Sequence, residues 1–93
     1  MDEPLQPVAA RKLIQRILEH GEVFFTPHAL DEMAEDGLII EDIERTLRSG
    51  QVLPGEWEHG EWRYRVRRYE VVAVVAFESE VLVIVVTAWK GRR

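Results

Sequence analysis

Three arginines alternate with apolar residues between Glu61 and Arg68, and this row has the clearest chemical meaning in the sequence. Successive side chains of a strand point to opposite faces, so Arg63, Arg65 and Arg67 would share one face. Same-face neighbours lie about 7 Å apart, close to the spacing of phosphates along a nucleic-acid strand, and guanidinium groups bind phosphate bidentately. The row predicts phosphate contacts on an uncovered sheet face. A charged edge strand that resists aggregation, or pairing with a neighbour's acidic helices, also fits.

Two residues near the C-terminus extend this basic region. Trp89 is a candidate for stacking on a nucleobase, although a tryptophan that packs in the core fits the same position. Lys90 follows directly and would sit at the end of the last strand. Arg92 and Arg93 add further charge, and we expect them to fray because they lie beyond that strand.

His28 is the first candidate for proton transfer. It follows Thr26 and Pro27 at the predicted start of a helix, and histidine exchanges protons near neutral pH. Packing at the helix end is the alternative. His20, at a helix end, and His59, in a charged loop, fit a catalytic role less well. The histidines share no ligand spacing and the chain has no cysteine, so we predict neither a metal site nor a cofactor.

The helices and strands that must position these residues can be predicted from the spacing of apolar residues, which changes halfway along the chain. Helical spacing predicts three helices, and alternating or continuous apolar runs predict strands afterwards. The predicted helices are Pro7–His20, one from Pro27 that ends at Gly37, and Glu41–Arg48; the predicted strands are Val23–Phe25, Gln51–Leu53, Glu61–Arg68, Val71–Phe77 and Val81–Trp89. The 93 residues form one α+β domain in this interpretation, with N-terminal helices on one face of a C-terminal antiparallel sheet. Met1 to Gln6 are expected to be flexible.

Charge is distributed unevenly between the two halves of the chain. Residues 1–61 contain 5 Lys and Arg against 14 Asp and Glu, whereas residues 62–93 contain 7 against 3. Such asymmetry indicates two surfaces with different partners, although exposed helix faces are commonly acidic. No uninterrupted apolar segment is long enough for a membrane span or preceded by a basic region like that of a signal peptide, so we expect a cytoplasmic protein.

Several short motifs resemble a bacterial family of uncharacterised small domains placed near the RelE-like toxins. They are an H-A-x-x-x-M helix (His28–Met33), the segment Ile43–Leu47, and a last strand ending in V-V-T-A-W (Val85–Trp89). The likeness covers roughly Gly21 to Lys90, and the order of elements is similar to that of MqsR-type toxins. Where many members have arginines around the methionine and before the glycine, this chain has Glu32 and Asp36.

The resemblance implies metal-independent mRNA cleavage, often on the ribosome, by a toxin that an antitoxin protein silences. It implies that Arg63 or Arg65 stabilises the phosphate, that Lys90 lies near the end of the last strand, and that His28 or Tyr69 transfers protons. Two alternatives remain open at this point. One is a non-catalytic module of the same fold that binds protein or nucleic acid, and the other is a structural homodimer joined through Trp57 and Trp62.

Overall fold

The computed structural model describes residues 1–91, which fold into three helices and six strands. Arg92 and Arg93, expected to fray, lie outside the described residues. The helices are α1 (Pro7–His20), α2 (Pro27–Glu35) and α3 (Ile40–Ser49). The strands are β1 (Glu22–Phe25), β2 (Gln51–Val52), β3 (Glu56–Glu58), β4 (Glu61–Arg68), β5 (Val71–Ser79) and β6 (Leu82–Lys90). The predicted α+β class is confirmed, and the bounds of α1 and β4 are those that the sequence predicts.

The sheet is mixed, so the prediction of a purely antiparallel sheet was wrong. Its strand order is β1-β6-β5-β4-β2, with β3 paired to the same strand β4 that carries β2. Strands β4, β5 and β6 are antiparallel neighbours, but β1 runs parallel to β6. The long connection from β1 to β6 permits this parallel pairing, which a tight hairpin would not.

One buried cluster joins the helices to alternate residues of the strands. Helix residues such as Ile14, Met33 and Leu47 belong to it together with Tyr64 and Val66 of β4. From β5 and β6 it takes Ala73, Val75, Phe77, Val83, Val85 and Ala88. We call this side of the sheet the core face. The strand period of two places Glu61, Arg63, Arg65 and Arg67 of β4 on the opposite side, which we call the arginine face.

Helix α2 continues along the edge of β6 where β1 ends. The Thr26 amide donates to the carbonyl of Val85, and the Thr26 hydroxyl donates to the carbonyl of Val86. The same hydroxyl accepts from the Ala29 amide and so caps α2. Farther along, the Lys90 amide donates to Asp36 at 2.8 Å. The outer edge of β6 is therefore occupied first by a strand and then by a helix.

The N-terminal segment contacts the core through one tyrosine. Tyr64 is fully buried, donates its hydroxyl proton to Glu3 and accepts from the Leu5 amide, each at 2.9 Å. Burial is the main cause that raises the pKa of Tyr64 to about 12. The segment that we expected to be flexible thus has two hydrogen bonds to β4. Among residues 1–91, no helix is long and apolar enough to cross a membrane.

Candidate functional site

The three arginines of β4 lie on the arginine face together with two residues of β6. Arg65 pairs in register with Val74, which pairs with Thr87. Arg67 pairs with Val72, which pairs with Trp89. Because paired residues of neighbouring strands share a face, the row of arginines and the Thr87–Trp89 row lie on either side of β5.

Two of these arginines, Arg63 and Arg65, form ion pairs with carboxylates of the same chain. The expectation of three uncovered guanidinium groups was therefore wrong for these two. Arg63 Nε donates to Glu61 at 2.9 Å, and Arg65 bonds Glu56 at 2.5 Å and lies 3.7 Å from Glu58. The physical reason differs between the two arginines. Glu61 lies two residues before Arg63 on β4 itself, whereas the pairing of β3 with β4 brings Glu56 and Glu58 beside Arg65. The sequence predicts a loop where β3 forms, so this pairing was not expected. Within residues 1–91 the exposed side chain of Arg67 has no ion-pair partner.

An open hollow of about 340 Å³ lies on the arginine face, and two histidines and an arginine line it. Its lining residues are Thr26, His28, His59, Arg63, Val86 and Thr87, and we call it the histidine hollow. Both histidines are exposed, whereas only 17% of the Arg63 side chain is accessible. His59 Nδ1 lies 3.3 Å from Arg63 Nη1, so these two groups are in direct contact. Two imidazole rings and an arginine held by Glu61 thus line one cavity.

The start of α2 positions His28 at this hollow. Pro27 occupies the first turn, where its missing amide proton costs nothing, and the Thr26 cap fixes where the helix begins. His28 Nε2 lies 3.5 Å from Glu32 one turn later, and Glu32 accepts a hydrogen bond from the Thr87 hydroxyl. The register of β6 against β5 shifts here and leaves Val86 as an extra residue. Such a bulge commonly re-aims side chains beside functional sites.

His59 reaches the hollow from the tight turn between β3 and β4. This turn has only two residues, His59 and Gly60, with φ of 53° and 80°. Both positive values match the turn that two-residue hairpins favour, in which Asn-Gly is the preferred pair. A histidine in this position is tolerated at some conformational cost. The missed signal in the sequence was the glycine after His59, because it predicts a hairpin that holds the histidine in place.

A second hollow, of about 220 Å³, adjoins the same row of arginines. We call it the tryptophan hollow; its lining residues are Leu53, Arg65, Arg67, Val72, Trp89 and Gly91. The hollow is mostly apolar because Leu53, Val72 and Trp89 line it, and the side chains of Arg65 and Arg67 complete the lining. Trp89 therefore lies on the arginine face, outside the buried core cluster.

Tyr69 and Lys90 are not brought to the histidine hollow. Tyr69 lies in the turn after β4, at the opposite end of that strand from His59, and its ring stacks on Arg68 at 4.9 Å. Arg68 in turn donates to Ser49 of α3. Lys90 pairs with Val71, which packs against the core cluster, so the register assigns Lys90 to the core face. The structure separates both residues from His28 and Arg63.

Glu32 and Asp36 stand at positions where the family resemblance leads us to expect arginines, and both have structural partners here. Glu32 bonds the Thr87 hydroxyl and Asp36 accepts from the Lys90 amide. Both acids therefore attach α2 to the edge of β6. No group of three or more His, Cys, Asp or Glu residues in the described range is arranged to hold a metal ion.

Residues 25–90 match the family described as a domain of unknown function, DUF4258, and the chain belongs to this family. The matched range starts at the last residue of β1 and ends at the last residue of β6. It contains every lining residue of both hollows except Gly91. No curated protein and no solved structure matches the chain significantly.

Proposed function

We propose that this DUF4258 domain is a RelE-like endoribonuclease that cleaves single-stranded RNA in the histidine hollow. The observation that carries the proposal is the meeting of His28, His59 and Arg63 around one open cavity on the arginine face. Two histidines can act as acid and base, and an arginine can neutralise a phosphate, without any cofactor. The proposal includes a RelE-like arrangement in which the helices cover only the core face. This arrangement leaves the cavity open to RNA.

The reaction is a transesterification at phosphorus. One histidine accepts the proton of a ribose 2′-hydroxyl, and the 2′-oxygen forms a bond to the adjacent phosphorus. The bond from phosphorus to the 5′-oxygen breaks, and the second histidine gives that oxygen a proton. The products are a 2′,3′-cyclic phosphate and a free 5′-hydroxyl. The guanidinium of Arg63 stabilises the charge that accumulates on the phosphate oxygens.

Glu32 is a positioning residue in this scheme. Its carboxylate lies beside Nε2 of His28, which leaves Nδ1 of that ring for the substrate. The Thr87 hydroxyl donates to the same carboxylate and restricts its movement. This chain of contacts corresponds to the third group that orients a catalytic base in other enzymes.

RNA phosphates must displace carboxylates to reach Arg63 and Arg65. Ion pairs of this partly exposed kind contribute about 0–1 kcal/mol to stability, so replacing a carboxylate by an RNA phosphate costs little free energy. The face carries as many nearby acids as arginines, however, and the proposal therefore implies modest affinity in the absence of a larger partner. Ribosome-bound mRNA fits this requirement because the ribosome would supply the remaining binding energy.

The proposed biological role is that of a cytoplasmic toxin held inactive by an antitoxin that covers the arginine face. Expression of the wild type in a bacterial host should arrest growth, and coexpressed antitoxin should prevent the arrest. Arg63→Ala, His28→Ala and His59→Ala should each relieve it. Tyr69→Asn is the matched control, since Tyr69 is exposed at the other end of β4 and should leave the arrest intact. Growth unaffected by the wild type would contradict the toxin role.

A non-catalytic binding module is the second candidate, and the pairing of Arg63 and Arg65 with carboxylates favours it. Guanidinium groups that already bind internal acids can exchange them for the acids of a protein partner. This candidate predicts no RNA cleavage, with affinity for an acidic partner that Arg65→Ala reduces. A homodimer through Trp57, whose side chain is exposed, would instead show a sedimentation mass of twice 10.8 kDa.

A further inference from the structure

We propose that the tryptophan hollow is a nucleobase-binding site that holds the base next to the cleaved phosphate. This inference rests on the proposed function, because it assigns the neighbouring cavity to the same RNA strand. Its occupant is one base of a single-stranded RNA, stacked on the indole of Trp89 and lying against Leu53 and Val72.

The chemistry of the lining matches a base with its phosphate attached. Three apolar side chains form most of the surface, which suits the flat face of a purine or pyrimidine. Arg65 and Arg67 stand beside them, and Arg67 has no carboxylate partner within residues 1–91. An apolar surface beside an unpaired guanidinium complements a ligand that is aromatic in one part and anionic in the next. The volume of about 220 Å³ suits one base rather than a folded segment.

The position relative to the histidine hollow matches the repeat of a nucleotide chain. Arg63 belongs to the first hollow and Arg65 to the second, and they are same-face neighbours on β4. Thr87 and Trp89 are related in the same way on β6. Thr87 lines the histidine hollow and Trp89 the tryptophan hollow, about 7 Å apart along β6, so a phosphate held beside Thr87 in the histidine hollow places the adjoining nucleotide over Trp89.

A binding experiment separates this site from catalysis. The probe is a labelled 2′-O-methyl tetranucleotide, which cannot be cleaved by attack of a 2′-hydroxyl. Its affinity for the full chain is measured by fluorescence anisotropy with all four bases present and with each base removed in turn. Wild-type protein should lose about tenfold or more in affinity at one position, as expected for loss of one base–aromatic stack.

Trp89→Ala should bind the intact probe about as weakly as the wild type binds the probe with that base removed. It should show no further loss with the abasic probe, because base and indole form one interaction. Trp57→Ala is the matched control: Trp57 is exposed on β3 and lines neither hollow, so it should retain the wild-type difference between the probes. Circular dichroism and a thermal melt check that Trp89→Ala is folded.

Each outcome decides between the two proposals. If removal of the base lowers the affinity equally for the wild type and for Trp89→Ala, the nucleobase site is overturned, even if the protein cleaves RNA. No measurable binding of the intact probe by the wild type overturns it as well. If the loss of affinity on removal of the base depends on Trp89 but no RNA is cleaved, the nucleobase site is supported and the nuclease proposal is contradicted.

Discussion

The two hollows of the arginine face differ in what holds their arginines. In the histidine hollow, Arg63 is fixed by Glu61 and touches His59, and only 17% of its side chain is accessible. In the tryptophan hollow, Arg67 is exposed and has no such restraint within residues 1–91. A fixed cation beside two histidines suits stabilisation of a transition state, whereas a free cation beside apolar groups suits ground-state binding.

The arginines of β4 differ in the groups that lie beside them. The three arginines look equivalent in the sequence, since they alternate regularly along β4. Glu61 of β4 itself binds Arg63, and the pairing of β3 with the first part of β4 brings Glu56 and Glu58 to Arg65. The later part of β4 pairs with β2, where Gln51 is the partner of Arg67. The neighbouring strand therefore distinguishes Arg65 from Arg67, whereas a residue of β4 itself fixes Arg63.

The largest expected effect comes from the histidine of the tight turn. His59→Asn should lower the cleavage rate by about 10²–10⁴-fold, because one partner of the proposed acid–base pair is lost. The same change should raise the free energy of unfolding by about 0.5–1 kcal/mol, since asparagine suits positive φ in a two-residue turn better. Urea denaturation and steady-state cleavage assays measure the two effects.

Tyr69→Asn is the matched variant for this prediction. Tyr69 has φ of 55° in the turn at the other end of β4, so the replacement relieves a similar conformational cost. It should also stabilise the protein, but its cleavage rate should equal that of the wild type. If both variants lose activity equally, the distinction between the two ends of the strand fails.

Arg63 and Arg67 should respond differently to removal of their charge. Arg63→Gln should reduce kcat with little change in KM, because we propose that its guanidinium stabilises the charge that develops on the phosphate. Arg67→Gln should raise KM and reduce the salt dependence of RNA binding by about one unit of slope, while kcat stays constant. Kinetics over a range of salt concentrations test both variants, and interchangeable effects would contradict our assignment.

A change on the core face should affect stability and neither hollow. Tyr64→Phe removes the hydrogen bonds to Glu3 and Leu5 and should cost about 1–3 kcal/mol of the free energy of unfolding at pH 7. The raised pKa of Tyr64, about 12, favours the protonated hydroxyl in the folded state. Its contribution is therefore complete below about pH 10 and is lost as the pH rises towards 12.

Denaturation curves at several alkaline pH values test this prediction. The wild type should lose stability between about pH 10 and 12, and Tyr64→Phe should lack that part of the decline. Identical slopes for the two proteins would show that ionisation of Tyr64 does not control alkaline stability.

The smallest expected effect is a gain in affinity. Glu56→Gln with Glu58→Gln removes the acids that face Arg65 and should strengthen binding of single-stranded RNA several-fold at low salt. The gain should shrink at high salt, because screening weakens surface charges. Glu78→Gln with Glu80→Gln, at the β5–β6 hairpin, is the control with the same change in net charge. Equal gains in both double variants would indicate a general charge effect.

Local patterns predicted most elements but not their arrangement. The Pro7 and Gly21 signals set the bounds of α1, and strict alternation set those of β4. The parallel pairing of β1 with β6 was not predictable, because strand order depends on contacts between distant segments. The candidate site also combines local and distant contacts. The helix start at Thr26 and Pro27 predicts the position of His28 from nearby residues alone, whereas His59 reaches the site through the pairing of β3 with β4.

Cleavage of a defined transcript tests the central claim most directly. Purified protein should be incubated with an mRNA, free and bound to ribosomes, in the presence of a chelator, and the termini of the fragments should be identified. The proposed ribonuclease activity predicts fragments that end in a 2′,3′-cyclic phosphate, formed by the wild type and by Tyr69→Asn but not by His59→Asn. An intact transcript under both conditions, or equal cleavage by His59→Asn, would contradict it.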